Sequence, residues 1–206
     1  MSRGKKKPSL HTLSREPLTP EDHAALHSEL IAGTDRSAAL VGCAIVEAAL
    51  VRALASRLLF KPAPETGKDF EEMFYSVRAP FSTLATRIKL GRAIGIYAWQ
   101  MQEMLDTVRR IRNVFAHSVR PLSFDHELIA DELDALPDAK LSDSKVRALG
   151  FESAKVNPHR NRYLAVCLGL AIVLEDHAAR HEGKPLTVDV SDGPTRTPKP
   201  LPRKPV

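Results

Sequence analysis

The sequence contains few aromatic residues and few cysteines. Phe, Trp and Tyr together make up 5% of the 206 residues, and the two cysteines are Cys43 and Cys167. Both lie in apolar stretches, and neither has a cysteine or histidine beside it in the spacing of a metal or redox motif. We therefore expect two buried free thiols in a reducing compartment.

Segments that direct a protein to a membrane are also missing by our reading. The N-terminus is polar and basic and lacks the apolar stretch of a signal peptide. The longest apolar run that we identify, residues 163–174, is shorter than the ~18 residues of a membrane span. We therefore expect a cytoplasmic protein that does not associate with a membrane.

The sequence has no phosphate-binding loop, serine-hydrolase motif or kinase motif. Two pairs of histidines have the spacing of metal ligands on a helix, His23 with His27 and His177 with His181. Glu175 and Asp176 lie beside the second pair, but no third cysteine or histidine is placed near either pair. We therefore expect no metal and no cofactor.

The net charge of +5 is distributed unevenly. Residues 1–18 carry +4 and residues 184–206 carry +3, which leaves −2 for residues 19–183. The last 23 residues also contain six prolines. We predict a disordered basic tail (1–18), one folded domain (19–183) and a disordered proline-rich tail (184–206). Because domains that grip DNA usually carry their own basic surface, nucleic acid is expected to bind weakly, without sequence preference, and only to the tails.

The domain has the pattern of an all-α bundle of about six to seven helices, with no strands. Apolar residues recur at threes and fours, and Thr, Ser, Asp, Pro and Gly mark the helix ends. The first predicted helix begins after Thr19 and ends near Gly33. The other six cover residues 35–59, 69–77, 83–94, 96–118, 125–136 and 157–181. Asp35 and Ser82 are the expected caps of the second and fourth helices, and residues 137–156 are expected to form a loop. The second, fourth, fifth and last helices should build the core.

The helix at 96–118 has an unusual arginine. On a helical wheel, Arg112 falls among apolar residues, and Val119 is placed on the same apolar side. A buried guanidinium needs an acceptor. Glu47 lies alone in the apolar run of the second helix, so we predict an ion pair between Glu47 and Arg112.

The opposite side of that helix is polar. It carries Asp106, Arg109, Arg110, Asn113, His117 and Arg120, and we treat these residues as a candidate binding surface. His117 lies beside arginines, which favour its neutral form and its use as a general base. The alternative is a structural histidine at the end of the helix, where its charge meets the helix dipole.

Two sets of residues resemble known families. Arg112 followed by Asn113 and, after four intervening residues, by His117 is similar to the Arg-x4–6-His signature of HEPN domains. The sequence of residues 80–90, PFSTLATRIKL, followed by the motif helix and by Leu-Ser-Phe at 122–124, resembles the MltR (mannitol operon repressor) family, as does the second helix with its central Glu47. The resemblance covers about residues 26–182.

The resemblance implies two functions. The resemblance to the MltR family implies an all-helical transcriptional regulator. Because the sequence has no helix-turn-helix pattern, this regulator would repress transcription through an unknown protein partner. The HEPN-like alternative implies a metal-independent RNase, related to toxins or defence, in which Arg112, Asn113 and His117 of two protomers act at a dimer interface. A homodimer is expected in either case.

The helical wheel of residues 96–118 bears on the choice between these two functions. It separates Arg112 from His117 by about 140°, so the two could meet within one chain only if the helix unwound near Ala116.

Overall fold

The computed structural model describes residues 19–58, 68–76, 78–136 and 158–181. These residues form seven α-helices and no strand, which confirms the all-α prediction. The helices are α1 (Pro20–Ala32), α2 (Asp35–Arg57), α3 (Lys68–Phe74), α4 (Leu84–Ala93), α5 (Trp99–His117), α6 (Glu127–Asp134) and α7 (Pro158–His181). The predicted tails, 1–18 and 184–206, and the predicted loop, 137–156, lie outside the described residues.

Threonines cap three of the helices. Thr19 forms a capping box with Asp22 and is followed by Pro20, as predicted. The predicted caps Asp35 and Ser82 are wrong, because the preceding Thr34 and the following Thr83 accept the capping N–H groups. The Asp35 carboxylate is used elsewhere, since it accepts the backbone N–H of Phe124 at 3.0 Å. The carboxylate expected to cap α2 is therefore occupied by a residue that is remote in sequence.

Helices α2 and α7 run parallel and in register at the centre of the fold. The Tyr163 hydroxyl donates to the Ala39 carbonyl at 2.9 Å, and Arg52 pairs with Glu175 one half-length further along. Gly42 permits this close packing, because a Cβ there would lie 3.2 Å from the Tyr163 ring. Corresponding residues of the two helices are thus about 124 positions apart in the chain.

Helix α5 lies across this pair with its apolar side inward. Leu105, Val108, Ile111 and Phe115 are buried on that side. The Phe115 ring packs on Phe124 with centroids 4.8 Å apart, and Phe124 packs in turn on Tyr163 of α7 at 5.0 Å. These contacts fix the rotation of α5 about its axis and therefore the direction in which each of its polar residues points.

Helix α2 is long and apolar enough to cross a membrane by length and composition alone, with a mean hydropathy of 2.0 over an 18-residue window. The sequence expectation named residues 163–174 as the longest apolar run and so missed this helix, whose apolar 18-residue window includes Glu47. In the fold 61% of that window is buried inside the domain, and Glu47 is held in ion pairs with neighbouring helices. Both observations describe the core helix of a helical domain.

Candidate functional site

Glu47 lies at the junction of α2, α4 and α5 and faces two arginines. Its Oε1 accepts from Arg87 Nη1 at 2.6 Å, and its Oε2 lies 3.8 Å from Arg112 Nη2. The structure thus brings Glu47 and Arg112 together, but the shorter contact belongs to a residue that sequence reasoning missed. One carboxylate for two guanidinium groups leaves one positive charge in excess at this junction.

Arg87 is almost completely enclosed, with 3% of its surface exposed. Its Nε donates to the Phe81 carbonyl at 2.8 Å and its Nη2 to the Phe74 carbonyl at 3.0 Å. Its guanidinium also lies 5.7 Å from the centroid of the Phe74 ring. Each side of the planar group therefore meets an acceptor or a ring, as burial of a guanidinium requires.

A signal for Arg87 was present in the sequence. The buried positions of α4 are Leu84, Arg87, Ile88 and Gly91, which is the i, i+3, i+4, i+7 spacing of a core-facing helix side. An arginine at one of these positions needs a buried acceptor. A helical wheel of α4, drawn beside that of α5, would have placed Arg87 on the buried side of α4.

Arg112 is less enclosed than Arg87. Its side chain is 29% exposed, and its guanidinium lies near enough to Cys43 on α2 to influence the pKa of that thiol. Burial raises the pKa of the Cys43 thiol, and the adjacent Arg112 guanidinium partly offsets that rise. Both cysteines are buried and free, as expected from the sequence.

Asn113 and His117 point away from this junction. Helix α5 stays regular to His117, so the unwinding near Ala116 that would bring Arg112 and His117 together does not occur. His117 is exposed and Asn113 is half-buried, and neither side chain hydrogen-bonds to any residue that the structure describes. Within one chain, the three residues of the HEPN-like motif therefore do not converge on a single point.

The rest of the predicted polar surface is largely used in ion pairs. Arg109 binds Asp106 at 3.0 Å, and Arg110 reaches across to Glu132 of α6 at 2.6 Å. Arg110 therefore bridges two helices and does not stand beside His117 as a free cation. Its second bond, to the Thr107 hydroxyl at 2.8 Å, holds it in that direction.

The helical wheel included residues that lie beyond the C-terminal end of α5. The helix ends at His117 with Ser118 as its cap, so Arg120 and Val119 lie beyond it. Val119, expected on the apolar side, is 97% exposed. Arg36 Nη2 holds this end in place by donating to the carbonyls of Ser118 at 2.6 Å and Arg120 at 3.2 Å.

The described residues contain no cluster of three or more potential metal ligands. His177 and His181 do lie together, with ring centroids 4.4 Å apart, but Arg57 Nη1 is 3.3 Å from His181 Nδ1. Burial, and then the charges of His181 and Arg57, lower the pKa of His177. A cation beside the rings disfavours a metal ion there.

The site therefore consists of two parts with different chemistry. The junction of Glu47 with Arg87 and Arg112 is partly enclosed and carries one surplus positive charge. At the end of α5, the half-buried Asn113 and the exposed His117 make no side-chain hydrogen bond to any described residue. In comparisons with protein-family models, curated proteins and solved structures, the chain matched none of them.

Proposed function

We propose that this protein is an MltR-like regulatory domain that works in the cytoplasm by contacting another protein, without catalysis and without reading DNA directly. The observation that supports this most strongly is the divergence along α5. Arg112 is turned toward Glu47 and Cys43, whereas His117 is turned to solvent. A nucleophilic or phosphate-stabilising site needs its groups on one reacting centre, and one chain does not provide that.

The charge distribution supports the second part of the proposal. Residues 19–183 carry a net charge of −2, and the arginines Arg109 and Arg110 on the exposed side of α5 are paired with carboxylates. A surface of this kind gives little counterion release on a DNA backbone. Any direct contact with nucleic acid then falls to the basic tails.

Two measurements in the source cell test the regulatory proposal. Deleting the protein should change the abundance of specific transcripts, and a chain reduced to residues 19–183 should restore them. Purified full-length protein should give no sequence-specific shift with DNA upstream of those transcripts. The proposal fails if no transcript changes, or if residues 19–183 bind that DNA specifically.

A metal-independent RNase is the second candidate, and one observation favours it. Arg87 occupies Glu47 at 2.6 Å, so Arg112 keeps only a 3.8 Å contact and partial exposure. The surplus charge near Arg112, together with unpartnered Asn113 and His117, could face a phosphate when two chains meet.

The RNase chemistry under this candidate is a transesterification. His117 would take the proton of the ribose 2′-hydroxyl, whose oxygen attacks phosphorus as the bond to the 5′-oxygen breaks. Arg112 would stabilise the phosphorane charge, Asn113 would orient the phosphate, and a protonated His117 would give its proton to the leaving 5′-oxygen. The products would be a 2′,3′-cyclic phosphate and a 5′-hydroxyl.

A single assay separates the two candidates. Wild type and His117→Ala are incubated with mixed RNA in EDTA, and the new RNA ends are analysed. The regulatory proposal predicts no cleavage by either protein. Cleavage to cyclic phosphate ends by the wild type alone would place the RNase first.

A further inference from the structure

Helices α2 and α5 lie side by side next to the Glu47 junction, and two contacts between them mark a surface of defined length. Arg36 Nη2 donates to the Ser118 carbonyl at 2.6 Å, and Glu47 Oε2 lies 3.8 Å from Arg112 Nη2. On α2 these contacts are eleven positions apart, which is about 16 Å at 1.5 Å per residue. The surface between them is therefore about as long as three helical turns.

Small and apolar side chains lie between the two contacts. Leu40 and Ala44 follow Arg36 at intervals of four, and residues so spaced share one side of a helix. Ala116 follows Arg112 on α5 at the same interval. Leu40 is 37% exposed, and both alanines are exposed. We call Leu40, Ala44, Arg112 and Ala116 the α2–α5 strip.

The charges at the two ends of the α2–α5 strip are not balanced. Glu47 accepts from Arg87 at 2.6 Å, which leaves Arg112 with the longer contact and a side chain that is 29% exposed. At the other end, Arg36 donates to backbone carbonyls and pairs with no carboxylate that the structure describes. The strip thus carries a surplus positive charge at each end and an uncharged surface between them.

We propose that the α2–α5 strip binds an acidic amphipathic helix of another protein, with one carboxylate on Arg112 and a second near Arg36. This inference rests on the proposed function, because it names the partner that a regulatory domain of this kind would contact. A carboxylate accepts two parallel hydrogen bonds from a guanidinium. The apolar side of such a helix would cover Leu40 and the alanines, and about three turns of it would match the length of the strip.

The surroundings of Arg112 favour a protein over single-stranded RNA. Surfaces that bind single-stranded RNA stack its bases on aromatic rings, and none of the four strip residues is aromatic. A phosphate backbone also needs a series of free cations, whereas the neighbouring Arg109 is bound to Asp106 at 3.0 Å. An acidic helix requires only the two unbalanced arginines.

Hexanoate is a probe that combines the two features of the expected partner, a carboxylate and an apolar chain. Amide NMR spectra of the full chain, recorded as hexanoate is added at constant ionic strength, should show shifts at the four strip residues. Acetate should bind more weakly because it lacks the apolar chain. Hexylammonium should cause no shift there, because its positive charge is repelled by Arg112.

Arg112→Gln and Arg110→Gln are matched variants, since each removes one guanidinium from α5. Arg110 is rotated by about 160° from Arg112 and is bound to Glu132. Arg112→Gln should weaken hexanoate binding about tenfold, as expected when a hydrogen bond to a charged group is lost, whereas Arg110→Gln should bind as the wild type does. Ala116→Glu places a carboxylate one turn from Arg112 and should weaken binding similarly. Because Ala116 is exposed, this variant serves if Arg112→Gln does not fold.

Restoration of the transcripts in the deletion strain extends the test to the cell. Arg110→Gln should restore them, and Ala116→Glu should not. If Ala116→Glu restores them as well as the wild type does, the strip is not the partner surface, although the regulatory function stands. If the deletion changes no transcript, the proposed function fails, and the hexanoate titration then decides the chemistry of the strip by itself.

Three further results would overturn the proposal. The first is a hexanoate titration that shifts no strip residue, or shifts them equally in wild type and Arg112→Gln. The second is a stronger effect of inorganic phosphate than of hexanoate on these residues, since the surface would then suit a nucleic-acid backbone. The third is a shift of the same residues when the protein alone is diluted, because a second copy of the chain would then occupy the strip.

Discussion

The two arginines that share Glu47 differ in what surrounds them. Arg87 is 3% exposed and donates to Glu47, Phe81 and Phe74. Arg112 is 29% exposed and lies 3.8 Å from the same carboxylate. A guanidinium that is fully enclosed must have every direction satisfied, whereas a half-exposed one can leave part of its hydration to water. The first arginine therefore holds the fold together, and the second retains capacity to bind something else.

Removing Arg87 should have the largest effect. Arg87→Ala would leave the Glu47 carboxylate and two backbone carbonyls without their donor, and breaking a buried pair in this way costs about 3–5 kcal/mol. Denaturant unfolding followed by circular dichroism would measure this loss. Arg87→Lys should be nearly as damaging, because one ammonium group cannot reach three acceptors in different directions. A loss below about 1 kcal/mol for both variants would contradict the role given to Arg87.

Removing Arg112 should cost much less stability. Arg112→Ala loses a long, partly hydrated contact, so we expect about 1 kcal/mol by the same unfolding measurement. Glu47 would keep its 2.6 Å bond to Arg87. If Arg112→Ala were as destabilising as Arg87→Ala, the contrast between the two arginines would be wrong.

His177 shows how partial burial affects a histidine. His177 is half-buried, and burial, His181 and Arg57 lower its pKa below the ordinary 6.5. The unfolded chain therefore takes up this proton at a higher pH than the folded chain, so the stability of the fold falls as pH drops below about 6.5.

His177→Gln should reduce that loss on acidification, as measured by urea unfolding at several pH values between about 7 and 5. His117→Gln is the control for the substitution itself, and its free energy of unfolding at pH 7 should equal that of the wild type within about 0.5 kcal/mol. An identical slope in His177→Gln and wild type would show that His177 does not contribute.

The smallest effect is expected at the exposed end of α5. His117→Ala and Asn113→Ala remove side chains that make no hydrogen bond within the described part of the chain, so stability should change by no more than about 0.5 kcal/mol. Thermal unfolding would check this. A larger loss would mean that these residues are structural, and would remove the observation that favours the RNase candidate.

Most of the helical architecture could be predicted from the sequence, since it follows from local rules. Apolar periodicity together with capping and helix-breaking residues placed every described helix, and Thr19 with Pro20 identified the first boundary. The exchange of Asp35 for Thr34 as a cap could not be predicted, because it depends on Phe124, which is remote in sequence and needs the Asp35 carboxylate.

The site was harder to predict for a similar reason. A wheel correctly turned Phe115 inward and Arg112 toward Glu47, but it describes one helix at a time. It could not show that Arg87 of α4 reaches the same carboxylate, or that Glu132 of α6 draws Arg110 away from His117. Which ions pair across helices depends on their docking, and the sequence of a single helix does not contain that information.

The parallel arrangement of α2 and α7 has a consequence for how the chain folds. Partners such as Ala39 and Tyr163 are separated by 124 positions, so the central pair of helices forms only by closing a very long loop. Contacts of this kind slow folding, because chain entropy is lost before the packing energy is gained. On the ribosome the side of α2 that packs on α7 stays uncovered until α7 has been synthesised, and during that interval the nascent protein is most open to aggregation and to chaperone binding.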